Sequence, residues 1–185
     1  MNITVFGGAQ PKRSDPAYEE AFQLGRLLGI AGHTVLTGGY IGTMEAVSRG
    51  AAEAGGHVVG VTCEEIETWR QLSPNPWVQE EWHYDTLRER LFSLIDNCEV
   101  AIALPGGAGT LAEISLTWNM LIIQSLPPRP LILVGPAWQA VFTAFFANLG
   151  DYVTERDQTW LTFAPDIAAA VQKIASLSAS KPTTA

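Results

Sequence analysis

The chain has 185 residues, 47% hydrophobic and 16% charged, a length and composition typical of one globular domain. Its net charge of −8 and the lack of any lysine or arginine cluster disfavour a nucleic acid polymer as partner, because phosphate backbones need concentrated positive charge. No uncharged apolar run reaches the ~18 residues of a membrane span, and the start lacks an export signal. We therefore expect a cytoplasmic protein without a membrane partner.

Short β-branched runs alternate with longer amphipathic stretches along the chain. Strands are predicted at residues 3–7, 33–37, 57–62, 99–104 and 130–135, with a short edge strand at 160–163. Helices are predicted at residues 16–31, 43–54, 84–97, 110–124, 137–149 and 166–177. This alternation predicts an α/β fold, a Rossmann-like doubly wound parallel sheet with helices on both faces, in a single domain over residues 1–177. Residues 178–185 are small and polar, which predicts a mobile tail.

Three glycine-rich junctions follow predicted strands, and ligands of such sheets bind beyond the carboxyl ends of the strands. The junctions read GGAQPKR at 7–13, TGGYIGTME at 37–45 and PGGAGTLAE at 105–113. None of them matches the nicotinamide fingerprint or the loop that holds a nucleoside triphosphate. A dehydrogenase and an ATPase are therefore not expected.

The junction at 105–113 has two interpretations. Its glycines allow positive φ and close approach of a ligand, so the amides of 107–111 and the Thr110 hydroxyl would seat an anion at a helix start. The glycines concerned are Gly106, Gly107 and Gly109. Alternatively, Thr110 and Glu113 form a capping box in which Thr110 is the N-cap residue. This motif alone favours neither interpretation.

The junction at 37–45 shifts the balance towards a ligand, because a doubly wound sheet brings two such loops to one crevice. Its candidate phosphate-binding residues are Gly39, Gly42 and Thr43. Glu45 and Arg49 lie four residues apart on the predicted helix. They predict an exposed ion pair worth ~0.3–0.5 kcal/mol rather than a catalytic role for Glu45.

Two of the predicted helices carry further signals. The helix at 84–97 buries a leucine stripe with Arg88 and Arg90 on its two borders, where either side chain could reach solvent or turn towards the crevice as a fixed cation. The helix at 110–124 is apolar around most of its circumference, with Leu111 and Ile114 expected on one side. We therefore expect a homodimer whose interface borders the site.

Tryptophans concentrate in residues 63–83, among acidic residues and prolines. Their aromatic rings could stack on a base, or they could cover the sheet edge or a partner surface. Both interpretations stay open, and these tryptophans are left out of the predicted site.

From the first strand to about residue 135 the sequence resembles the LONELY GUY family, phosphoribohydrolases that activate cytokinins by cleaving nucleoside 5'-monophosphates. The family motif PGGxGTxxE is met in full by Pro105, Gly106, Gly107, Gly109, Thr110 and Glu113. The resemblance implies that Arg90, fifteen residues before Pro105, is the catalytic arginine and that Glu113 is the catalytic glutamate. It also implies a Rossmann-like dimer and a small nucleotide substrate.

The sequence departs from the family pattern at several positions. Leu91 stands where the family has a lysine, and Ala108 replaces an aromatic residue. Thr37 and Glu45 replace the first and last glycines of the second glycine-rich loop, and the Thr117–Trp118 pair comes two residues early. These departures indicate a divergent branch in which a phosphate-bearing ligand is implied and its base stays open.

The resulting hypothesis is hydrolysis of an N-glycosidic bond through an oxocarbenium-like sugar. Glu113 would stabilise that cation or activate water, Arg90 would orient Glu113 or donate to the ribose, and the glycine-rich loops would anchor the 5'-phosphate without a metal or cofactor. The alternative is a non-catalytic carrier, because molybdenum cofactor carriers resemble the same fold. Lysine decarboxylation, a label that relatives often carry, needs a Schiff-base lysine, and Lys12, Lys173 and Lys181 all lie outside the motifs.

Overall fold

A computed structural model describes residues 1–179 and contains, within them, one seven-stranded sheet surrounded by helices. The strands are β1 (Asn2–Phe6), β2 (Thr34–Thr37), β3 (His57–Cys63), β4 (Glu80–Tyr84), β5 (Val100–Ala103), β6 (Leu131–Val134) and β7 (Leu161–Ala164). The helices are α1 (Pro16–Ile30), α2 (Thr43–Glu53), α3 (Glu64–Arg70), α4 (Leu87–Asp96), α5 (Ala108–Ile122), α6 (Pro136–Leu149), α7 (Glu155–Gln158) and α8 (Ile167–Ala179), with a 3-10 turn at Gly150–Tyr152.

The sheet has the strand order β4-β3-β2-β1-β5-β6-β7, and every neighbouring pair is parallel. The chain first moves outwards from β1 and then returns to place β5 on the other side of β1, with Ile3 opposite Val100. The carboxyl ends of β1 and β5 therefore lie side by side where the winding direction reverses, the place where such sheets bind ligands. The predicted doubly wound α/β fold is confirmed.

Two apolar layers bury the two faces of the sheet. One layer joins β1 and β2 to α1, α2 and α8, and the other joins the sheet to α4, α5 and α6. Strands covered on both faces need apolar residues at successive positions, which explains fully buried runs such as 131–134. This packing holds the strand ends rigidly in register at the crevice.

The sequence prediction missed β4 and α3, which occupy most of the predicted loop at 63–83. The β4 sequence is EEWHY, and as an edge strand it buries little of its surface, so it lacks the apolar run that marked the other strands. The predicted edge strand near 160–163 is present as β7.

The predicted tail begins within α8, because Ser178 and Ala179 complete that helix. Residues 180–185 of the tail lie outside the described residues. Within the described part of the chain, no helix has the length and apolar character needed to cross a membrane.

Candidate functional site

The three glycine-rich junctions meet around Gly8, so the two loops expected at one crevice are joined there by the junction at 7–13. The Gly8 N–H donates to the Pro105 carbonyl at 3.3 Å, and the Gly8 carbonyl accepts from the Thr43 N–H at 2.9 Å and from the Thr43 hydroxyl at 2.7 Å. Gly7 has no room for a side chain, because a Cβ there would lie 2.3 Å from Thr43 Oγ1. The loops after β1, β2 and β5 therefore form one crevice floor.

The helix after the third junction begins earlier than predicted, at Ala108, with Gly107 as its N-cap residue and no side-chain cap. Thr110 is the third helical residue, so the predicted capping box with Thr110 as N-cap is wrong. Gly107 takes that role because its carbonyl already accepts the first intrahelical bond, from Leu111 N–H at 3.0 Å. The Leu111 amide is thus used within the helix, and the amides of 108–110 are left facing outwards.

The glycines of this junction matter because they lack a side chain, and not because they adopt unusual φ angles. None of the three has the positive φ predicted for it, and Gly107 has a φ of −96°. A Cβ at Gly106 would lie 2.1 Å from Thr110 Oγ1, so this position cannot carry a side chain without a shift. A Cβ at Gly107 or Gly109 would meet nothing within 4 Å. Open space therefore lies over the free amides, and a ligand can approach them closely.

The start of α2 is a weaker anion-binding site than the start of α5. Gly39 and Gly42 have φ values of 77° and 73°, a conformation that favours glycine. The amide and hydroxyl of Thr43 are both bonded to Gly8, and Glu45 places a carboxylate in the first helical turn. The α5 start has no acidic residue in its first turn and is the stronger positive end. The roles of Gly39, Gly42 and Thr43 in phosphate binding stay predictions.

Glu45 does not pair with Arg49, so that prediction is wrong. Glu45 lies 2.9 Å from Arg13 and accepts from the Tyr18 hydroxyl at 3.0 Å, whereas Arg49 pairs with Glu53 at 2.7 Å. The loop after β1 brings Arg13 over the start of α2, and Glu53 lies one turn further along α2 from Arg49. Glu53 meets the same four-residue spacing on the other side of Arg49, and Arg13 comes from a different junction that no helical spacing could indicate.

Arg90 turns into the crevice edge, whereas Arg88 is exposed. Only 6% of the Arg90 surface is accessible. Its Nε donates to the Val61 carbonyl at 2.7 Å, its Nη2 donates to the Gly38 carbonyl at 3.2 Å, and its guanidinium lies 5.6 Å from the centre of the Tyr40 ring. Two hydrogen bonds and a cation–π contact therefore fix this cation, and they leave other guanidinium N–H groups for a ligand.

The second glycine-rich loop is shaped to receive this arginine. A Cβ on Gly38 would lie 2.0 Å from Arg90 Nη2. Asn75 holds the other side of the loop, because its side-chain amide donates to the carbonyls of Gly39 at 2.9 Å and Tyr40 at 3.0 Å. Asn75 is buried and was missed by sequence reasoning, since its only local signal is a position between two prolines.

Glu113 is half-buried on α5, in the field of Arg90. Burial raises the pKa of the Glu113 carboxyl to about 7, and the positive charge of Arg90 opposes this rise. Among the described residues, Glu113 has no ion pair within 4.0 Å. Near neutral pH the carboxyl group is therefore divided between its protonated and ionised forms, as a proton-transfer group requires.

The other side chains of α5 have structural roles. The Thr117 hydroxyl donates to the Glu113 carbonyl at 2.7 Å, and Trp118 Nε1 donates to the Asp157 carbonyl at 2.8 Å. Leu111 is 41% exposed whereas Ile114 is buried, so a single chain covers only part of the apolar circumference of α5, and the expected cover by a second copy stays a prediction. Ala108, Gly109 and Leu111 in the first turn of α5 are exposed, and the buried positions of the helix are Thr110, Ile114, Thr117, Trp118 and Leu121.

The tryptophans of 63–83 do not converge on the crevice floor. Trp77 lies against the guanidinium groups of Arg13 and Arg49, 5.0 and 5.7 Å from the ring centre, and Trp69 is 75% exposed. Beyond Tyr40, the side chains of Glu64, Glu67 and His83 bring ligand atoms within 4.8 Å of one another, a set that could hold a divalent cation.

Comparison with known proteins identifies the family to which the chain is similar. The family model described as the SLOG cluster4 family matches residues 1–124. The chain is 34% identical over 128 residues to the cytokinin riboside 5'-monophosphate phosphoribohydrolase LOG of Oryza sativa subsp. japonica, which covers 68% of this chain and 52% of the relative. It is 30% identical over 135 residues to the Mycobacterium tuberculosis protein of the same description, covering 72% of this chain and 70% of the relative. The matched part spans about half the length of the rice relatives.

Among solved structures, the fold is similar to a molybdenum cofactor binding protein from Rippkaea orientalis. The TM-score is 0.74 at 25% sequence identity, and the match covers 95% of this chain and 96% of that protein. The family model thus matches the part of the chain that holds the three junctions, Arg90 and Glu113, and the solved structure matches nearly all of the chain.

Proposed function

This chain belongs to the SLOG cluster4 family and, through its relatives, to the LONELY GUY family, and from that premise we propose that it hydrolyses nucleoside 5'-monophosphates to a free base and ribose 5-phosphate. One observation carries the proposal. The half-buried carboxyl group of Glu113, with its pKa of about 7, lies one turn after the open amides that begin α5 and in the field of the fixed cation Arg90. A protein that merely holds an anion gains nothing from a carboxylate at that place.

The 5'-phosphate binds at the start of α5 in this proposal. The free amides of 108–110, the Thr110 hydroxyl and the positive end of the helix all favour an anion. The open space over Gly107 and Gly109 admits the phosphate oxygens, while Gly106 keeps the loop close to Thr110. Binding energy from this non-reacting phosphate positions the glycosidic bond against Glu113.

Cleavage breaks the bond between C1' and the base nitrogen, and its electron pair leaves with the base. The ionised Glu113 carboxylate stabilises the oxocarbenium-like sugar and accepts a proton from the water that attacks C1'. That proton then passes to the departing base, so the products are the neutral base and ribose 5-phosphate. A carboxyl pKa of about 7 suits both halves of this transfer.

Arg90 supports the same step from α4. Its positive charge lowers the pKa of Glu113 from the value that burial alone would give, which keeps part of the carboxyl ionised at neutral pH. Its remaining N–H groups can donate to ribose hydroxyls or to Glu113 as the substrate enters.

The test incubates purified protein with AMP, CMP, GMP, UMP and a cytokinin riboside monophosphate, and follows free base and ribose 5-phosphate by chromatography. Glu113→Gln should lose about 10² to 10⁴ in turnover, the contribution typical of a positioned acid–base group. Glu19→Gln on α1, across the sheet, is the matched control and should behave as wild type. Near-normal turnover by Glu113→Gln would remove Glu113 from the mechanism.

A second candidate function is that of a non-catalytic carrier of a phosphate-bearing ligand. The observation that favours it is the match of 95% of the chain to a molybdenum cofactor binding protein. Leu91 and Ala108 stand where the phosphoribohydrolase family has a lysine and an aromatic residue, and these replacements are compatible with a carrier. Mass spectrometry of protein purified without added nucleotide separates the two functions, because a carrier retains its ligand and a hydrolase releases its products.

We further propose that the protein is a homodimer. The outer sides of α4, α5 and α6 carry Leu87, Leu111, Val141 and Phe145, each at least 36% exposed. Apolar side chains gathered on neighbouring helices favour burial by a second copy. Light scattering coupled to gel filtration should give a mass near 40 kDa, twice the 20.0 kDa of the chain, and 20 kDa would contradict a dimer. A cytoplasmic location stays a prediction.

A further inference from the structure

A cavity of about 320 Å³ opens beside the crevice, on the side of α1 and α2. It is formed by residues 9–13 of the first junction together with Tyr18, Gly42, Glu45 and Arg70. Its volume is at the lower end of those that hold small molecules or parts of them. The proposed phosphate site at the amides of 108–110, called here the phosphate seat, lies outside this cavity. Arg90 and Glu113 do not line the cavity either.

The cavity is positive although the chain carries a net charge of −8. Its walls contain Lys12, Arg13 and Arg70 and one carboxylate, Glu45. Arg13 pairs with Glu45 at 2.9 Å, which uses that negative charge. Among the described residues, neither Lys12 nor Arg70 has an ion pair within 4.0 Å. Two cations are therefore left without a counter-charge in one concave space.

Arg70 is held at the cavity by the aromatic residue next to it. Its guanidinium lies 4.9 Å from the centre of the Trp69 ring, and Trp69 is itself 75% exposed. This cation–π contact restrains a side chain that would otherwise move freely in solvent. An arginine positioned in this way loses less entropy when it binds an anion.

The cavity adjoins the phosphate seat. Its wall begins at Ala9, the residue after Gly8, and Gly8 bonds to Pro105 on one side and to Thr43 on the other. Gly42, the N-cap residue of α2, lies in the wall as well. A ligand whose phosphate lies over the α5 amides can thus extend past Gly8 into the cavity.

We propose that this cavity is a second anion subsite, in which Lys12 and Arg70 bind a further phosphate or carboxylate group carried by the same ligand. The proposal rests on the proposed function, since it takes the ligand to be a nucleotide whose 5'-phosphate lies at the start of α5. It adds that nucleotides with a further anionic group bind more tightly than the simple 5'-monophosphates. Glu45, which stands where the resembled family has glycine, gains a role as the residue that holds Arg13 in the wall.

The test measures binding by titration calorimetry at low salt, with Glu113→Gln as parent protein so that no ligand is consumed. The ligands are AMP, ADP and adenosine 3',5'-bisphosphate. ADP or the bisphosphate should bind at least about fivefold more tightly than AMP, the effect expected of one partly exposed ion pair. A smaller advantage for both ligands overturns the proposal.

The second half of the test adds Lys12→Gln and Arg70→Gln to the parent. The advantage of the second anionic group should then disappear, while the affinity for AMP stays within about twofold. The matched control adds Arg88→Gln and Arg156→Gln, two exposed arginines outside the cavity wall, and should keep the advantage. The proposal is overturned if the Lys12→Gln, Arg70→Gln variant still binds ADP or the bisphosphate more tightly than AMP. It is also overturned if the Arg88→Gln, Arg156→Gln variant loses this preference to the same extent. Thermal unfolding checks that both variants fold.

These outcomes are independent of catalysis. If wild-type protein cleaves no nucleotide but the advantage is present and depends on Lys12 and Arg70, the subsite stands and the proposed hydrolysis fails. If wild-type protein cleaves AMP but shows no such advantage, hydrolysis stands and the subsite fails.

Discussion

Glu113→Gln should make the protein more stable at pH 8 while it lowers turnover by about 10² to 10⁴. Burial raises the pKa of this carboxyl from 4.5 to about 7, so the folded state holds it in an environment that disfavours its charge. Below pH 4.5 the group is protonated in both the folded and the unfolded state and contributes nothing. Between pH 4.5 and 7 the unfolded state releases the proton and the folded state keeps it, so stability falls as pH rises.

Above about pH 7 the folded state bears the full loss of stability that comes from ionising the buried Glu113 carboxyl group. A pKa change from 4.5 to about 7 corresponds to about 3 kcal/mol, because each tenfold change in an equilibrium constant is worth about 1.4 kcal/mol. Glutamine is uncharged at every pH and removes this cost. At pH 8 the variant should therefore gain up to about 3 kcal/mol, or roughly 6–12 °C in Tm for a chain of this size.

The assay is thermal unfolding of wild type and Glu113→Gln from pH 4.5 to pH 8, with Glu19→Gln as the control. The difference in Tm between Glu113→Gln and wild type should be near zero at pH 4.5 and grow through pH 7, while the control difference stays flat. A constant difference across this range, or a loss of stability at pH 8, would refute the assignment of a raised pKa to Glu113.

Three further predictions concern the crevice. Arg90→Ala should reduce turnover at least about a hundredfold and shift the acidic limb of the pH–rate profile upwards, because the charge that lowers the pKa of Glu113 is lost, whereas Arg88→Ala should leave both unchanged. Gly38→Ala should imitate Arg90→Ala in the same assay, since its methyl group would lie 2.0 Å from Arg90 Nη2; Gly150→Ala, with nothing within 4 Å, should be neutral, and wild-type turnover by Gly38→Ala would contradict the fit. Gly109→Ala should raise Tm, because alanine stabilises a helical position by about 0.4–1 kcal/mol, yet weaken AMP binding in calorimetry by filling the open space over the amides; unchanged binding would place the phosphate elsewhere.

The parallel sheet could be predicted from sequence because its strands are buried on both faces and so stand out as short apolar runs. The edge strand β4 could not, since its EEWHY sequence has the polarity of a loop and becomes a strand only by pairing with β3. The start of α5 was placed two residues late, because the spacing of Thr110 and Glu113 imitates a capping box while the backbone of Gly107 supplies the cap.

The candidate site was predicted in part. The helical pattern left Arg88 and Arg90 open and the resemblance to the LONELY GUY family selected Arg90, which the structure turns inwards. What could not be predicted is how the arginine is held, because Tyr40 and Asn75 act from other loops through contacts distant in sequence. The partners of Glu45 were missed for the same reason, since Arg13 comes from the preceding junction.

The most direct test of the central claim compares binding and turnover of AMP, or of the monophosphate that wild type cleaves fastest, in Glu113→Gln and wild type. The seat at α5 and the chemistry at Glu113 are separate in this account. The variant should bind the nucleotide within severalfold of the wild-type Kd and lose about 10² or more in turnover. Turnover within tenfold of wild type, or loss of binding together with turnover in a folded variant, would contradict it.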